Sequence, residues 1–370
     1  AGAEFSRTLK TSAHSACSKT GWYQCLPGQP SELTDTTESE TMTVRFGVLG
    51  AGRIGKVHAK AVSANANARL VAVADAFADA AEALATQYGA EVRSISQIEA
   101  ASDIDAVVIC TPTDTHADLI ERFSRAGKAI FCEKPIDLDS ERVKACLMVV
   151  EETNGTLMVG FNRRFDPHFM AVRAAIDAGK IGDVEMVTIT SRDPGAPPVD
   201  YIKRSGGIFR DMTIHDFDMA RFLLGAEVTS VSAHAAVLVD PAIGEAGDFD
   251  SVTVILETAK GQQAVITNSR RATYGYDQRI EVHGSEGVVS AENQRPVSIE
   301  IANGDGYTRP PLHDFFMTRY TEAYANEIAA FIAAIEQGAT ISPSGTDGLI
   351  ALQLADAALE SAKTGKRITL

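Results

Sequence analysis

Cysteine is sparse: five residues in 370, none in a C-x-x-C pair and none in a Cys/His cluster of zinc-finger spacing. An odd number in a chain this long excludes a disulfide framework as the organising principle. Cys110 and Cys132 lie inside apolar runs (AVVIC and AIFC), where a buried thiol is the expectation, and a reducing cytoplasm follows. No apolar run approaches the roughly 20 residues needed to cross a bilayer, which excludes a membrane-spanning protein. Basic charge is also short: 34 Lys and Arg against 49 Asp and Glu give a net charge of −15, with no Lys/Arg run. Such a surface repels nucleic acid and anionic membrane, so neither is expected as a partner. No cluster with metal-ligand spacing is visible, and no metal is expected.

What remains is ordinary globular material, 45% hydrophobic and 22% charged, of a length that suggests two domains. Residues 1–41 stand apart. They are rich in Ser, Thr and Glu, carry Pro27 and Pro30, and show neither helical nor strand periodicity. Without an apolar h-region they are not a secretory signal, and their acids argue against a transit peptide. Their few apolar groups cannot offset the entropy of ordering, so a disordered leader is predicted, with the folded chain starting at Met42.

From Thr43 short apolar runs alternate with helical patterns. Strands are predicted over 44–50, 70–75, 106–111, 129–135 and 156–161, and helices from about 53 to 58 and over 76–88, 116–125 and 140–153. Unbroken apolar strands alternating with helices predict a parallel, doubly wound sheet covered on both faces. Beyond Phe161 the strands at 184–191, 228–239, 250–259, 262–270, 277–287 and 288–292 alternate apolar and polar residues. This predicts an α+β second domain with a large, mostly antiparallel, open-faced sheet. Helices over 314–337 and 345–363 close the chain. The expected division is 42–162 for the first domain and 163–370 for the second, the last helices being free to pack back on the first.

Gly50-Ala-Gly52-Arg-Ile-Gly55 follows a strand and opens a helix. The first Gly permits the tight turn, the second lets backbone approach a pyrophosphate, and the third lets helix and strand pack closely. Asp75 ends the next strand, where a carboxylate accepts bonds from both ribose hydroxyls and repels a 2′-phosphate. The turn therefore predicts NAD rather than NADP. Lys134 ends the strand AIFCEKP, the edge at which open α/β sheets bind ligands. It is either a substrate-orienting cation or a surface lysine.

Residues 210–224 read RDMTIHDFDMARFLL. At about 100° per residue, Asp211, His215, Asp218 and Phe222 share one face, while Thr213, Asp216 and Ala220 lie opposite, on the expected solvent side. Burying two carboxylates and a histidine unpaired costs several kcal/mol, so they must be paired or line a cavity. A histidine there is a candidate general base. The alternative is a structural network in which His215 satisfies Asp211.

GVLGAGRIGKVHAKA, CTPTDTHADLI, FCEKPI, GFNRRFDPHF and GGIFRDMTIHDFDMARFLL, in this order, resemble the glucose–fructose oxidoreductase/inositol dehydrogenase/MocA family from Met42 to Leu370. YGYDQRIEVHGSEG and the N-terminal half look closest to its bacterial inositol 2-dehydrogenases. The resemblance implies a Rossmann domain, an α+β domain and a homotetramer packed through the open sheets. It implies NAD-dependent oxidation of a cyclic polyol, myo-inositol giving 2-keto-myo-inositol (scyllo-inosose). Another polyol or pyranose, such as scyllo-inositol or glucose, and a non-catalytic NAD-binding regulator are the rivals. The family's catalytic residues match Lys134, Asp211 and His215, with Asp211 positioning His215. Its cofactor residues match Gly50, Gly52, Arg53, Ile54, Gly55 and Asp75, the strand-end segment Thr111-Pro112-Thr113 with His116, and Glu133. Its substrate contacts match Lys134, Asn162, Arg163, Asp211, His215 and one of Tyr274 and Tyr276.

Overall fold

A computed structural model describes residues 43–370; the leader expected over 1–41 lies outside the described residues, as does Met42. The unbroken apolar runs form a six-stranded parallel sheet. Its strands are β1 (Val44–Leu49), β2 (Ala68–Ala74), β3 (Glu91–Val92), β4 (Ala106–Ile109), β5 (Ala129–Cys132) and β6 (Leu157–Val159), in the order β3-β2-β1-β4-β5-β6. Phe46 is paired with Leu70 on one side and Ala106 on the other. In all but β3, side chains from both faces of the strands are buried, which explains why no polar alternation interrupts them. The strand order reverses between β1 and β4, the switch point at which such sheets take ligands.

A second sheet follows. Its strands are β7 (Val184–Arg192), β8 (Val228–Ala236), β9 (Ser251–Thr258), β10 (Gln263–Ser269), β11 (Asp277–Gly284) and β12 (Gly287–Ala291). The hairpin β13 (Ile301–Asn303) and β14 (Gly306–Thr308) stands apart, and β15 (Ile368–Thr369) completes the seven-stranded order β12-β11-β7-β10-β9-β8-β15. All its pairings are antiparallel except β7 with β10. One face packs on helices. The other leaves Met186, Ile255 and Val288 exposed, as alternation required.

Several elements were not legible. The helix Ile95–Ala100 is a single capping box, Ser94 with Gln97, too short for a periodic signal. The helix Pro167–Asp177 starts on Asp166, whose carboxylate accepts from His168 N (3.1 Å) and Phe169 N (3.3 Å). The long helix predicted from 314 begins only at Thr321, after a short turn of helix at Phe316–Arg319.

The C-terminal helices return to the first sheet. Thr321–Gln337 places Ile328, Phe331 and Ile332 in one core with Val44, Phe46 and Phe131, each such ring or chain contributing about 1.5–3 kcal/mol by burial. Gly345–Thr364 puts Ala351 and Leu352 into a core with β4 to β6, and Leu354, Ala355 and Ala358 into the core under the second sheet. Among the described residues no helix is long and apolar enough to cross a membrane.

Candidate active site

Every residue of the first half singled out by sequence lies at the carboxyl edge of the parallel sheet. Gly50 has φ +99°, and a Cβ there would sit 2.6 Å from the Cys110 carbonyl oxygen; one on Gly55 would sit 1.9 Å from the Gly50 carbonyl oxygen. Both positions are closed to any side chain. At Gly52 a Cβ would meet nothing within 4 Å, and this residue caps the helix Arg53–Ala64 with no side-chain acceptor. The first-turn N–H groups, including those of Arg53 and Ile54, take no side-chain cap and are the donors a pyrophosphate would use. Asp75 is held by Ala51 N (2.5 Å) and Phe77 N (2.8 Å), which ties the carboxylate to the glycine turn.

After β4, Thr111 Oγ1 lies 2.6 Å from Thr115 Oγ1, in the tight turn Thr113–Thr115 that Pro112 precedes. His116 is buried. Its Nδ1 lies 2.8 Å from the Pro135 carbonyl and its Nε2 2.8 Å from the Thr111 carbonyl. Burial holds its pKa below the usual histidine value. The ring lies between the β4 turn and the segment after β5, and in its neutral form its one N–H donates to one of the two carbonyls. Glu133 faces His58, with Oε1 2.7 Å from Nε2, and accepts from Lys134 N at 3.3 Å.

Lys134 crosses to the second half. Its Nζ donates to the Asp211 carbonyl at 2.9 Å and lies 3.9 Å from Asp211 Oδ1. Asp211 Oδ1 accepts from the Tyr201 hydroxyl at 2.8 Å, and Oδ2 lies 3.4 Å from both terminal nitrogens of Arg270. His215 has its Nδ1 buried without a hydrogen-bond partner, so Nε2 is the nitrogen a substrate can reach. Burial, then the charges of Lys134 and Arg163, hold its pKa well below the ordinary value. The neutral ring is the form present at neutral pH.

The helical wheel is corrected in two respects. Asp211 makes no hydrogen bond to His215; its partners are Tyr201, Arg270 and Lys134. The reason is a π-helical turn at Phe209–Thr213, which breaks the 100° phase between the two residues before the α-helix Ile214–Leu224 begins. The supposed solvent side is also buried, because the helix runs between the second sheet and Gly345–Thr364. Asp216 there binds Arg163 Nη1, Ser191 Oγ (2.7 Å) and Asn268 Nδ2 (2.7 Å). Asp218 is taken by Arg164 at 2.8 and 2.5 Å and does not line the site.

Arg163 and Asn162 lie buried in the turn Asn162–Phe165 just past β6. Of the two tyrosines, Tyr276 is the buried one and packs edge-on against Tyr320 (6.0 Å between centroids); Tyr274 is half-exposed and gives its hydroxyl to Asp277 at 2.5 Å.

Four residues escaped the sequence reading: Tyr201, Arg270, Asp193 and Asp248, which lies 3.8 Å from Arg270 Nη2. Because β7 and β10 run parallel, the residues just past their ends, Asp193 and Arg270, emerge at the same edge, and Asp193 N donates to the Ser269 carbonyl at 2.9 Å. Burial, resisted by Arg270 and reinforced by Asp211, pushes the Asp193 carboxyl up to about 6. A polar residue directly after a strand end is the one signal that marks this pair. The assembled rim holds Asp193, Asp211 and Asp248 against Arg270 and Lys134, a set that grips hydroxyl groups rather than an acid.

Comparison with known proteins agrees with this layout. Residues 44–161 match the oxidoreductase family with an NAD-binding Rossmann fold, and residues 169–290 match the GFO/IDH/MocA C-terminal domain. The chain is 80% identical over 329 residues to the inositol 2-dehydrogenase of Rhizobium meliloti, covering 89% of this chain and 100% of that protein. Its fold is similar to the crystal structure of a myo-inositol dehydrogenase from Corynebacterium glutamicum, at TM-score 0.86 and 46% identity over 89% of this chain and 99% of that one. It is also similar to a scyllo-inositol dehydrogenase from Lactobacillus casei solved with NAD(H) and scyllo-inositol, at TM-score 0.83 and 29% identity, with 88% and 99% covered.

Proposed function

Because the chain belongs to the GFO/IDH/MocA oxidoreductase family, we propose that it oxidises myo-inositol to 2-keto-myo-inositol with NAD. The observation that carries this is the convergence of Lys134, Asp211 and His215 beside the glycine turn, in a chain 80% identical to an inositol 2-dehydrogenase. The open space at Gly52 and the Asp75 carboxylate fit NAD. Bound there, NAD supplies the hydride acceptor.

The residues divide the rest of the work. His215 Nε2 takes the proton of the reacting hydroxyl, its ring kept neutral and ready by burial and by the two cations near it. Lys134 orients that hydroxyl and stabilises the negative charge that develops on its oxygen. Asp211 fixes Lys134 and is itself fixed by Tyr201 and Arg270. Arg163, Asn162, Asp193 and Tyr276 shape the polyol end, and Thr111, Pro112, Thr113 and Glu133 the cofactor end. We read 42–162 as the cofactor half and 163–370 as the substrate half.

The exposed apolar residues on the second sheet support a homotetramer closed through that face, and the free, buried Cys110, Cys132 and Cys146 support a cytoplasmic setting. The same rim would accept scyllo-inositol, the ligand of the Lactobacillus relative. A panel of myo-inositol, scyllo-inositol and glucose, each with NAD and with NADP, decides by absorbance of the reduced cofactor. Fastest turnover with myo-inositol and NAD is expected; faster turnover of another polyol overturns the substrate assignment.

A further inference from the structure

Behind Lys134 lies a string of polar groups whose buried members, His58 and Glu327, the chemistry above leaves unused. His58 projects from the helix Arg53–Ala64 with no exposure, between the rings of Phe131 (5.0 Å) and Tyr324 (5.5 Å). Its Nε2 meets Glu133 Oε1 at 2.7 Å. Its Nδ1 has no hydrogen-bond partner, and 3.9 Å away stands Oε1 of Glu327, from the helix Thr321–Gln337. Glu327 is fully buried, and neither of its carboxyl oxygens has a partner.

A buried carboxylate with no donor is among the costliest groups a protein can hold. Here it stands beside an equally unpartnered imidazole nitrogen, and one proton resolves both deficits. A protonated Glu327 donates to His58 Nδ1 after a closure of about 1 Å. That fixes the ring with its own hydrogen on Nε2, aimed at the Glu133 carboxylate. Glu133 Oε2 in turn accepts from Lys134 N (3.3 Å). We propose that Glu327 is a positioning residue, holding a proton for His58 so that His58 and Glu133 fix the backbone from which Lys134 reaches the substrate. The groups facing His58 are Glu133 from the β5 end and Glu327 and Tyr324 from the C-terminal helix. Burial first, and the Glu133 charge second, hold the Glu327 carboxyl well above the usual carboxylate range.

The proposal rests on the reading of Lys134 given above, but its first test needs no substrate. In full-length protein labelled with 15N-histidine, the His58 signal is assigned by its loss in His58→Gln. A neutral ring is expected, protonated on Nε2 and with a bare, hydrogen-bonded Nδ1. An imidazolium, or a ring protonated on Nδ1, overturns the proposal even if every Glu327 variant fails to fold. In turnover, Glu327→Leu should lower kcat about tenfold with little change in KM, as expected when a buried acceptor loses its donor. Glu327→Gln, which offers an N–H in place of the O–H, should recover kcat to within about twofold of the parent. A Leu variant equal to the parent, or a Gln variant as impaired as Leu, refutes it. If no polyol is oxidised at all, the Proposed function fails while the 15N result still stands or falls by itself.

Discussion

Replacing His215 by Ala removes the nitrogen assigned to take the substrate proton. Loss of a general base costs about 10²–10⁴-fold in rate, or about 2.7–5.5 kcal/mol of barrier. The sign of the pH dependence follows from the surroundings of the ring. Burial disfavours the imidazolium, and Lys134 and Arg163 disfavour it further, so the proton leaves His215 at a pH well below the ordinary histidine value. The rate should rise with pH as the ring deprotonates, with the midpoint on the acid side of about 6.5 and a plateau through neutrality. Lys134→Met removes one of the opposing charges and should move that midpoint upward, on a background of slower turnover. Initial rates of cofactor reduction across pH, for the parent and both variants, measure all of this. Fluorescence titration with NADH should show His215→Ala binding cofactor nearly as the parent does, because the histidine stands on the substrate half. A His215→Ala protein that keeps its rising limb and a near-parental rate refutes the assignment and makes Lys134 the base.

Asp75→Ser should narrow the preference for NAD over NADP and also raise KM for NAD, since Ala51 N and Phe77 N lose their acceptor; a parent enzyme that uses both cofactors equally in steady-state assays contradicts the role of Asp75. Asp216→Ala strands the buried Arg163 guanidinium and should cost about 3–5 kcal/mol in urea unfolding, whereas a loss below about 1 kcal/mol would show the pair to be dispensable. Light scattering at micromolar protein should report four subunits, and a monomer would mean that the face bearing Met186, Ile255 and Val288 is tolerated in water.

The parallel sheet was legible because its strands are buried on both faces and leave continuous apolar runs ending at Gly50, Asp75, Thr111 and Glu133. The short β3, with both residues exposed, had no such signature. Candidate residues were legible by type wherever chemistry demands a particular one, as at Gly55, Asp75, Lys134 and His215. Their pairings were not. The partners of Asp211 come from a helix ten residues upstream and a strand end 59 residues downstream, distances that no local period encodes. The wheel over 210–224 failed for a local reason as well: five residues wound as a π-turn rotate everything after them. Buried acids such as Asp216 and Asp218 look like solvent-facing or site residues until Arg163 and Arg164 are seen beside them.

The helix Gly345–Thr364 sends Leu352 into one core and Leu354 into the other. A hinge between the halves would have to pull one of these side chains out of its packing. Asp356 of this helix accepts from Ser140 Oγ of the first half at 3.0 Å and from Arg210 Nε of the second at 2.8 Å, and so ties both to one side chain. The chain also crosses between the two sheets more than once, so no single linker could serve as a pivot. Relative motion of the two halves therefore carries a packing cost that movement of the turns beyond the strand ends does not.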